Sequence, residues 1–408
     1  MPISRRDFMK GMAVFSGIGL APKFLTDAYA DPALAIQGFN DDRVLVVVQL
    51  GGGNDGLNTV VPFEDDLYHR ARPQIGLKAE RLIKLNDLMG INDAMRPVMP
   101  FYERGEFAVI QGVGYPNPDR SHFRSMEIWH TASDSEDYLG DGWIGRYFDN
   151  NCSGTAQPQV GLALDPDRPQ AFGSSLGYGV ATTDPNKFGW NPGKGADNEA
   201  AFLALNAGTP AHNPTLDFLR HTTTTAVTSS EEVRAAAKKG NIQLIEKGKR
   251  NGGPSQLDAV AGLIRGGLAT RIYYVSTSGF DTHAGQTGKH EQLLGGVAEA
   301  LARFQSQLES DGTADRVTTM VFSEFGRRVN ENGSGGTDHG TAAPMFLMGN
   351  SVRGGVHGTA PMLGDLDGGD LKYSTDFRQV YSTVLEDWLH ADPSKVLDQR
   401  FDKLPLLA

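Results

Sequence analysis

A single cysteine, Cys152, stands in a chain of 408 residues, and that scarcity excludes two classes of site. No intramolecular disulfide can form, and no zinc or iron–sulfur centre can be built on cysteine. Any metal must therefore be held by histidine and carboxylate. Long apolar runs are also missing. Met12 to Leu25 is too short and too rich in glycine to span a bilayer, and no later stretch approaches the required length. An excess of positive charge is lacking too, with 38 Lys and Arg against 49 Asp and Glu and a net charge of -11. This argues against nucleic acid as a partner, because proteins that bind it present a basic face to phosphates.

What is present is an ordinary globular composition, 39% hydrophobic and 21% charged, with an unusually high 50 glycines. So many glycines imply numerous tight turns and close backbone approaches. The N-terminus carries an address. Ser4-Arg5-Arg6-Asp7-Phe8-Met9-Lys10 is followed by the weakly apolar Met12 to Leu25 and by Ala28-Tyr29-Ala30, the arrangement of a twin-arginine export signal cut after Ala30. Residues 1–30 carry Arg5, Arg6, Lys10 and Lys23 against Asp7 and Asp27, so the rest of the chain is more acidic still, at -13. The expected partner during export is the twin-arginine translocase, which passes folded proteins. The expected location is periplasmic or secreted, with no transmembrane segment in the mature chain.

Val44 to Leu50 is a continuous β-branched run, and Phe107 to Gln111, Arg271 to Ser276, Val317 to Phe322 and Met345 to Met348 are similar. Such runs predict strands buried on both faces. Helical patterns lie among them at Leu293 to Leu308 and Phe377 to Leu389. The alternation predicts an α/β fold, a mostly parallel sheet with helices on both faces and ligands at the carboxyl ends of the strands. Residues 31–408 read as one domain, with a loop-rich insertion or cap at about 150–255.

Several constellations carry chemistry. Gly51-x-Gly53-x-x-Gly56 matches a dinucleotide fingerprint, but Leu57 to Pro62 is not expected to open the helix that a pyrophosphate needs. The turn instead offers Asp55 as a metal ligand at a strand end. Ser175 in Gly173-Ser174-Ser175-Leu176-Gly177 fits a serine-esterase elbow without the strand and helix that this motif requires. Ser121 falls near a predicted helix start, where it is either an N-cap or a nucleophile favoured by the helix dipole. Arg120 and Arg124 flank it as partners for the oxygens of an anionic substrate. Asp281-Thr282-His283, Glu324 and Asp338-His339 recur at loop positions beside strands and glycines. They predict a divalent metal site, with zinc the leading choice and calcium, magnesium or manganese as alternatives.

Taken together, the export signal, Gly52-Gly53-Asn54-Asp55-Gly56-Leu57-Asn58, Arg120-Ser121-His122-Phe123, Phe280-Asp281-Thr282-His283, Ser323-Glu324-Phe325-Gly326-Arg327 and Asp338-His339-Gly340-Thr341 closely resemble the exported domain-of-unknown-function 1501 family. More remotely, the chain is similar to the alkaline phosphatase and sulfatase superfamily. The resemblance implies an alkaline-phosphatase-like fold, Ser121 as nucleophile, and metal ligands at Asp281, His283 and His339. Glu324-Phe325 stands where that superfamily has Asp followed by His. The implied activity is hydrolysis of a phosphate or sulfate ester, on a small anionic ester or an envelope polymer. The alternatives are a metal-binding or partner-assisting protein without turnover, and a serine esterase.

Overall fold

Alternation along the first strand organises the molecule. Val44, Val46, Val48 and Leu50 point into one hydrophobic core, and Leu45 and Val47 point into another on the opposite face. Side chains alternate across a strand, so a run apolar at every position belongs to a sheet covered on both sides. The computed structural model describes residues 42–152, 158–174, 177–189, 229–242 and 256–408, with the single positions 201 and 227.

The main sheet has nine strands: β1 (Val44–Gly51), β2 (Phe107–Gly114), β3 (Gly161–Ala163), β4 (Val180–Ala181), β5 (Ile272–Ser278), β6 (Val317–Phe322), β7 (Ala343–Met348), β8 (Gly355–His357) and β9 (Thr375–Asp376). Their spatial order is β8-β2-β7-β6-β1-β5-β3-β4, with β9 beside β2. Every pairing is parallel except those of β7, which runs antiparallel to both β2 and β6. The mostly parallel sheet expected from the sequence is therefore observed. The direction of β7 has a consequence for the site, because the loop before β7 opens onto the same edge as the loops after β1, β2, β5 and β6.

Helices cover both faces. The first core is closed by α3 (Gln256–Arg265) and α4 (Gln286–Ser310). In α4, Leu294, Val297, Ala298, Leu301, Phe304 and Leu308 form the buried stripe at the spacing of one helix face. The second core is closed by α1 (His122–Thr131), α2 (Trp143–Asn151), α5 (Phe377–Thr383) and α6 (Pro393–Leu397). A capping box fixes the start of α5, where Asp376 and Gln379 satisfy free amides reciprocally. The segment read as a cap supplies β3 and β4, so its described part extends the sheet edge. No helix among the described residues is long and apolar enough to cross a membrane.

Two expectations are corrected here. A four-residue helix, Gly56–Thr59, does follow the glycine turn, but all four residues are buried, and Asp55 itself caps it through the Asn58 amide. Asp55 is not available to a metal. Its carboxylate is fully buried and pairs with Arg72 at 2.6 Å, and it also accepts from Gln286. Burial alone would raise its pKa, but Arg72 outweighs that and holds it below the usual carboxylate range. Breaking one half of such a buried pair costs about 3–5 kcal/mol, so this contact serves the fold.

Two buried histidines make the fold sensitive to acid. The Nε2 of His130 lies 3.1 Å from the Gln49 side-chain oxygen, and that of His290 lies 2.9 Å from the Asn54 oxygen. Burial pushes both pKa values down to about 4. An unfolded histidine takes its proton near pH 6.5, so the unfolded state binds more protons between these limits and stability falls as pH drops through the window. The expected loss between pH 7 and pH 5 is about 2 kcal/mol for each histidine. Urea unfolding of wild type and His130→Gln at the two pH values checks this, and an unchanged pH slope in the variant would exclude His130 as a source.

Candidate metal centre

Three loops at the carboxyl edge, after β2, after β5 and between β6 and β7, bring histidine and carboxylate together. After β2, the turn at Asn117 (φ 51°) leads to Asp119, whose carboxylate accepts the Ser121 amide at 2.6 Å. This sets the start of α1, so His122 is its first residue and its ring leans over the sheet edge. Asp281 and His283 follow β5, Glu324 follows β6, and Asp338 and His339 precede β7. Their close approach depends on glycine. A Cβ on Gly52 (φ +117°) would lie 2.4 Å from the Asp281 amide nitrogen, so no other residue fits there without displacing the loop.

The geometry of the three imidazoles follows one rule. His122 Nδ1 lies 2.8 Å from Glu324 Oε1, His283 Nδ1 lies 3.2 Å from Asp338 Oδ1, and His339 Nδ1 lies 2.8 Å from the Arg120 carbonyl oxygen. Each Nδ1 faces an acceptor, and in the tautomer with the proton on Nδ1 each Nε2 presents a lone pair. Those Nε2 atoms converge on Asp281. His283 Nε2 is 3.0 Å and His339 Nε2 3.2 Å from Asp281 Oδ1, the two nitrogens are 2.9 Å apart, and His122 Nε2 is 3.6 Å from Oδ2. The donor atoms of His122, Asp281 and His339 all lie within 4.8 Å of one another. In that tautomer the Nε2 lone pairs face each other beside a carboxylate, a repulsion that a cation among them would relieve. Ligands bonded to one tetrahedral ion at about 2.0–2.1 Å are about 3.3 Å apart, and the observed separations bracket that value.

Arg327 supports the cluster from below. Its side chain is fully buried and donates to Asp281 Oδ1 at 2.6 Å, to the Gly53 carbonyl at 2.7 Å, to the Thr337 carbonyl at 2.8 Å and to the carbonyls of Gly52 and Phe280. Partial burial would raise the Asp281 carboxyl, yet the Arg327 guanidinium bonded to it holds it well below the usual carboxylate range. The Phe325 ring closes the remaining side, 4.9 Å from His122 and 4.7 Å from His339 between ring centres.

The residues singled out from sequence divide accordingly. Asp281, His283 and His339 come together. Glu324 and Asp338 reach the cluster only through His122 and His283, so neither carboxylate faces the point where the Nε2 atoms meet, and their reading as ligands is corrected. Glu324 is further occupied by the Gly52 amide at 2.8 Å and the Ser323 hydroxyl at 3.1 Å. Arg124 is turned away from the site. It is buried, donates to the carbonyls of Asp134, Ser135 and Asp137, pairs with Glu127 and packs on Tyr138. Ser121 is the exposed N-cap residue of α1, but its hydroxyl makes no capping bond. Arg120 extends along a cleft of about 710 Å³ that is also lined by Glu324, Phe325, Lys372 and Tyr373. Ser175 lies outside the described residues. His122 and Arg327 were met only inside the quoted motifs. The signal for His122 was its adjacency to Ser121, at the end of a strand that had already been recognised.

Residues 249–397 match a family model described as a protein of unknown function (DUF1501). No curated protein matches the chain. Among solved structures, a lipoteichoic acid synthase, LtaP, from Listeria monocytogenes is 8% identical, over 93% of this chain and 82% of its own, with a TM-score of 0.36. A protein in the alkaline phosphatase superfamily from Vibrio parahaemolyticus is 10% identical over 91% and 75%, with a TM-score of 0.39. A sulfatase from Pseudoalteromonas sp. is 10% identical over 95% and 76%, with a TM-score of 0.36. Likeness at this level assigns no chemistry.

If Glu324 acts by orienting His122, Glu324→Gln is expected to weaken zinc binding about 10–100-fold without lowering the thermal midpoint of the metal-free protein. Chelator-competition titration measures the affinity. Equal affinities in variant and wild type would rule the role out.

Proposed function

We propose that this protein is an exported, metal-dependent hydrolase of phosphate or sulfate esters, acting in the periplasm or beyond the cell. The observation that carries the reading is the convergence of three Nε2 atoms on Asp281, with every Nδ1 already committed to an acceptor. The donor set of three imidazoles and one carboxylate suits zinc. Calcium takes six to eight oxygens, and magnesium and manganese prefer oxygen-rich shells. His122, Asp281, His283 and His339 would hold the ion. When bound, it would supply Lewis-acid polarisation of an ester oxygen and a lowered pKa for a coordinated hydroxyl or water.

The chain's own residues supply the rest. Ser121 stands free at the start of α1, where the helix dipole favours an alkoxide and an anionic substrate. Arg120 presents its guanidinium to the cleft and offsets charge on the transferred group. Glu324 and Asp338 keep two imidazoles in one tautomer and orientation. The cleft is of the size that takes a small ester. One observation favours the alternative of a metal-binding protein without turnover. The carboxylates of Asp281, Glu324 and Asp338 are all engaged by arginine, histidine or asparagine, so none of these three is left as a free base beside Ser121.

Protein purified from the periplasm, stripped with chelator and reloaded with zinc, is expected to hydrolyse an aryl phosphate or an aryl sulfate. Ser121→Ala or His339→Ala should reduce the rate at least about 100-fold. Stoichiometric metal with no turnover on either ester would favour the non-catalytic alternative. Replacing Arg5 and Arg6 by lysine is expected to leave the precursor in the cytoplasm by cell fractionation.

A further inference from the structure

The ionic contacts of the molecule are unequal. Arg327 and Arg72 hold their carboxylates at 2.6 Å, and Lys372 is paired with Asp365. Asp370 is different. Its side chain is only 3% exposed, yet Arg120 Nη1 is 3.4 Å from Oδ2 and Arg328 Nε is 3.7 Å from Oδ1, both outside the range of a charge-assisted hydrogen bond. Oδ1 is buried without a hydrogen-bond partner among the described residues. Asp367 adds a like charge nearby, and Arg328 is partly occupied by the Gly368 carbonyl. Arg120 is 45% exposed in its side chain and lines the cleft with Asp370. Its carbonyl orients His339, so its backbone is fixed while its guanidinium is loosely held.

A guanidinium held this loosely is easily exchanged. We propose that Asp370 is a positioning residue, a resident counter-ion that keeps Arg120 over the cleft and yields it to the anionic group of an incoming ligand. The proposal rests on the reading that the cleft receives an anionic ester. It has a signature that a merely structural role lacks. Asp370 competes with the ligand for Arg120, so removing the carboxylate strengthens anion binding.

The test uses inorganic phosphate as the probe, titrated calorimetrically into zinc-loaded protein. Asp370→Asn is expected to bind phosphate about five- to tenfold more tightly than wild type, the effect of freeing Arg120 from one unit charge about 4 Å away when screened as in water. Asp370→Glu should stay near wild type. In the Arg120→Ala background, Asp370→Asn should bring less than a twofold gain. If the asparagine variant does not fold, Asp370→Leu removes the charge without leaving an amide to satisfy and should give the same sign. Unchanged or weaker phosphate binding in a folded variant would overturn the proposal, as would absence of phosphate binding in all forms. Tighter binding in Asp370→Asn, with no ester hydrolysed by wild type, would keep this role for Asp370 and remove the hydrolase reading.

Discussion

One buried guanidinium ties the functional edge of this molecule together. Arg327 joins the Gly52–Gly53 turn after β1, the Phe280–Asp281 segment after β5 and the Thr337 segment before β7, while itself lying just after β6. A charge without access to water tolerates only a full complement of acceptors. The loops are thus held to the arrangement that satisfies Arg327, and that arrangement aims Asp281 at three imidazoles. Lysine, a point charge on a flexible stem, has no planar fork with which to span the same acceptors.

The same economy recurs one layer further out. Glu324, Asp338 and the Arg120 carbonyl each fix one ring, and Asp55 with Arg72 anchors the turn beneath. Carboxylates that look alike in a list therefore do four kinds of work here. Asp281 faces the cluster, Glu324 and Asp338 face histidines, Asp55 faces an arginine inside the fold, and Asp370 lies between two arginines without bonding closely to either. The differences come from distance and burial, not from residue type.

Much of the framework was legible from the chain. Val44 to Leu50 and Val317 to Phe322 announced buried strands because a strand covered on both faces has no polar side to interrupt the run. The meeting of Asp281, His283 and His339 at one edge was legible because loops beside glycines at the carboxyl edge of such a sheet lie close together. Asp55 shows where this logic fails. It occupies a strand end beside glycines too, yet its partner Arg72 lies 17 positions away, just past the short helix Asp66–Ala71, whose proximity no local pattern reveals. His122 was hidden by a neighbour, since a serine at a helix start attracts attention as a nucleophile while the adjacent histidine reads as its context. Arg124 failed for a related reason. Consecutive helical residues point about 100° apart, so the turn that brings His122 to the site takes Arg124 away from it.

The antiparallel direction of β7 also governs when the site can come into existence. His122 and His339 belong to strands adjacent in space but separated by more than half the chain, and β6, β1 and β5 must be in place before Asp281 and His283 arrive beside them. A nascent chain offers a metal only the local pairs Asp281 with His283 and Asp338 with His339. The four side chains meet only in the finished sheet, so the free energy of binding any metal they held would be coupled to the folding of the whole domain.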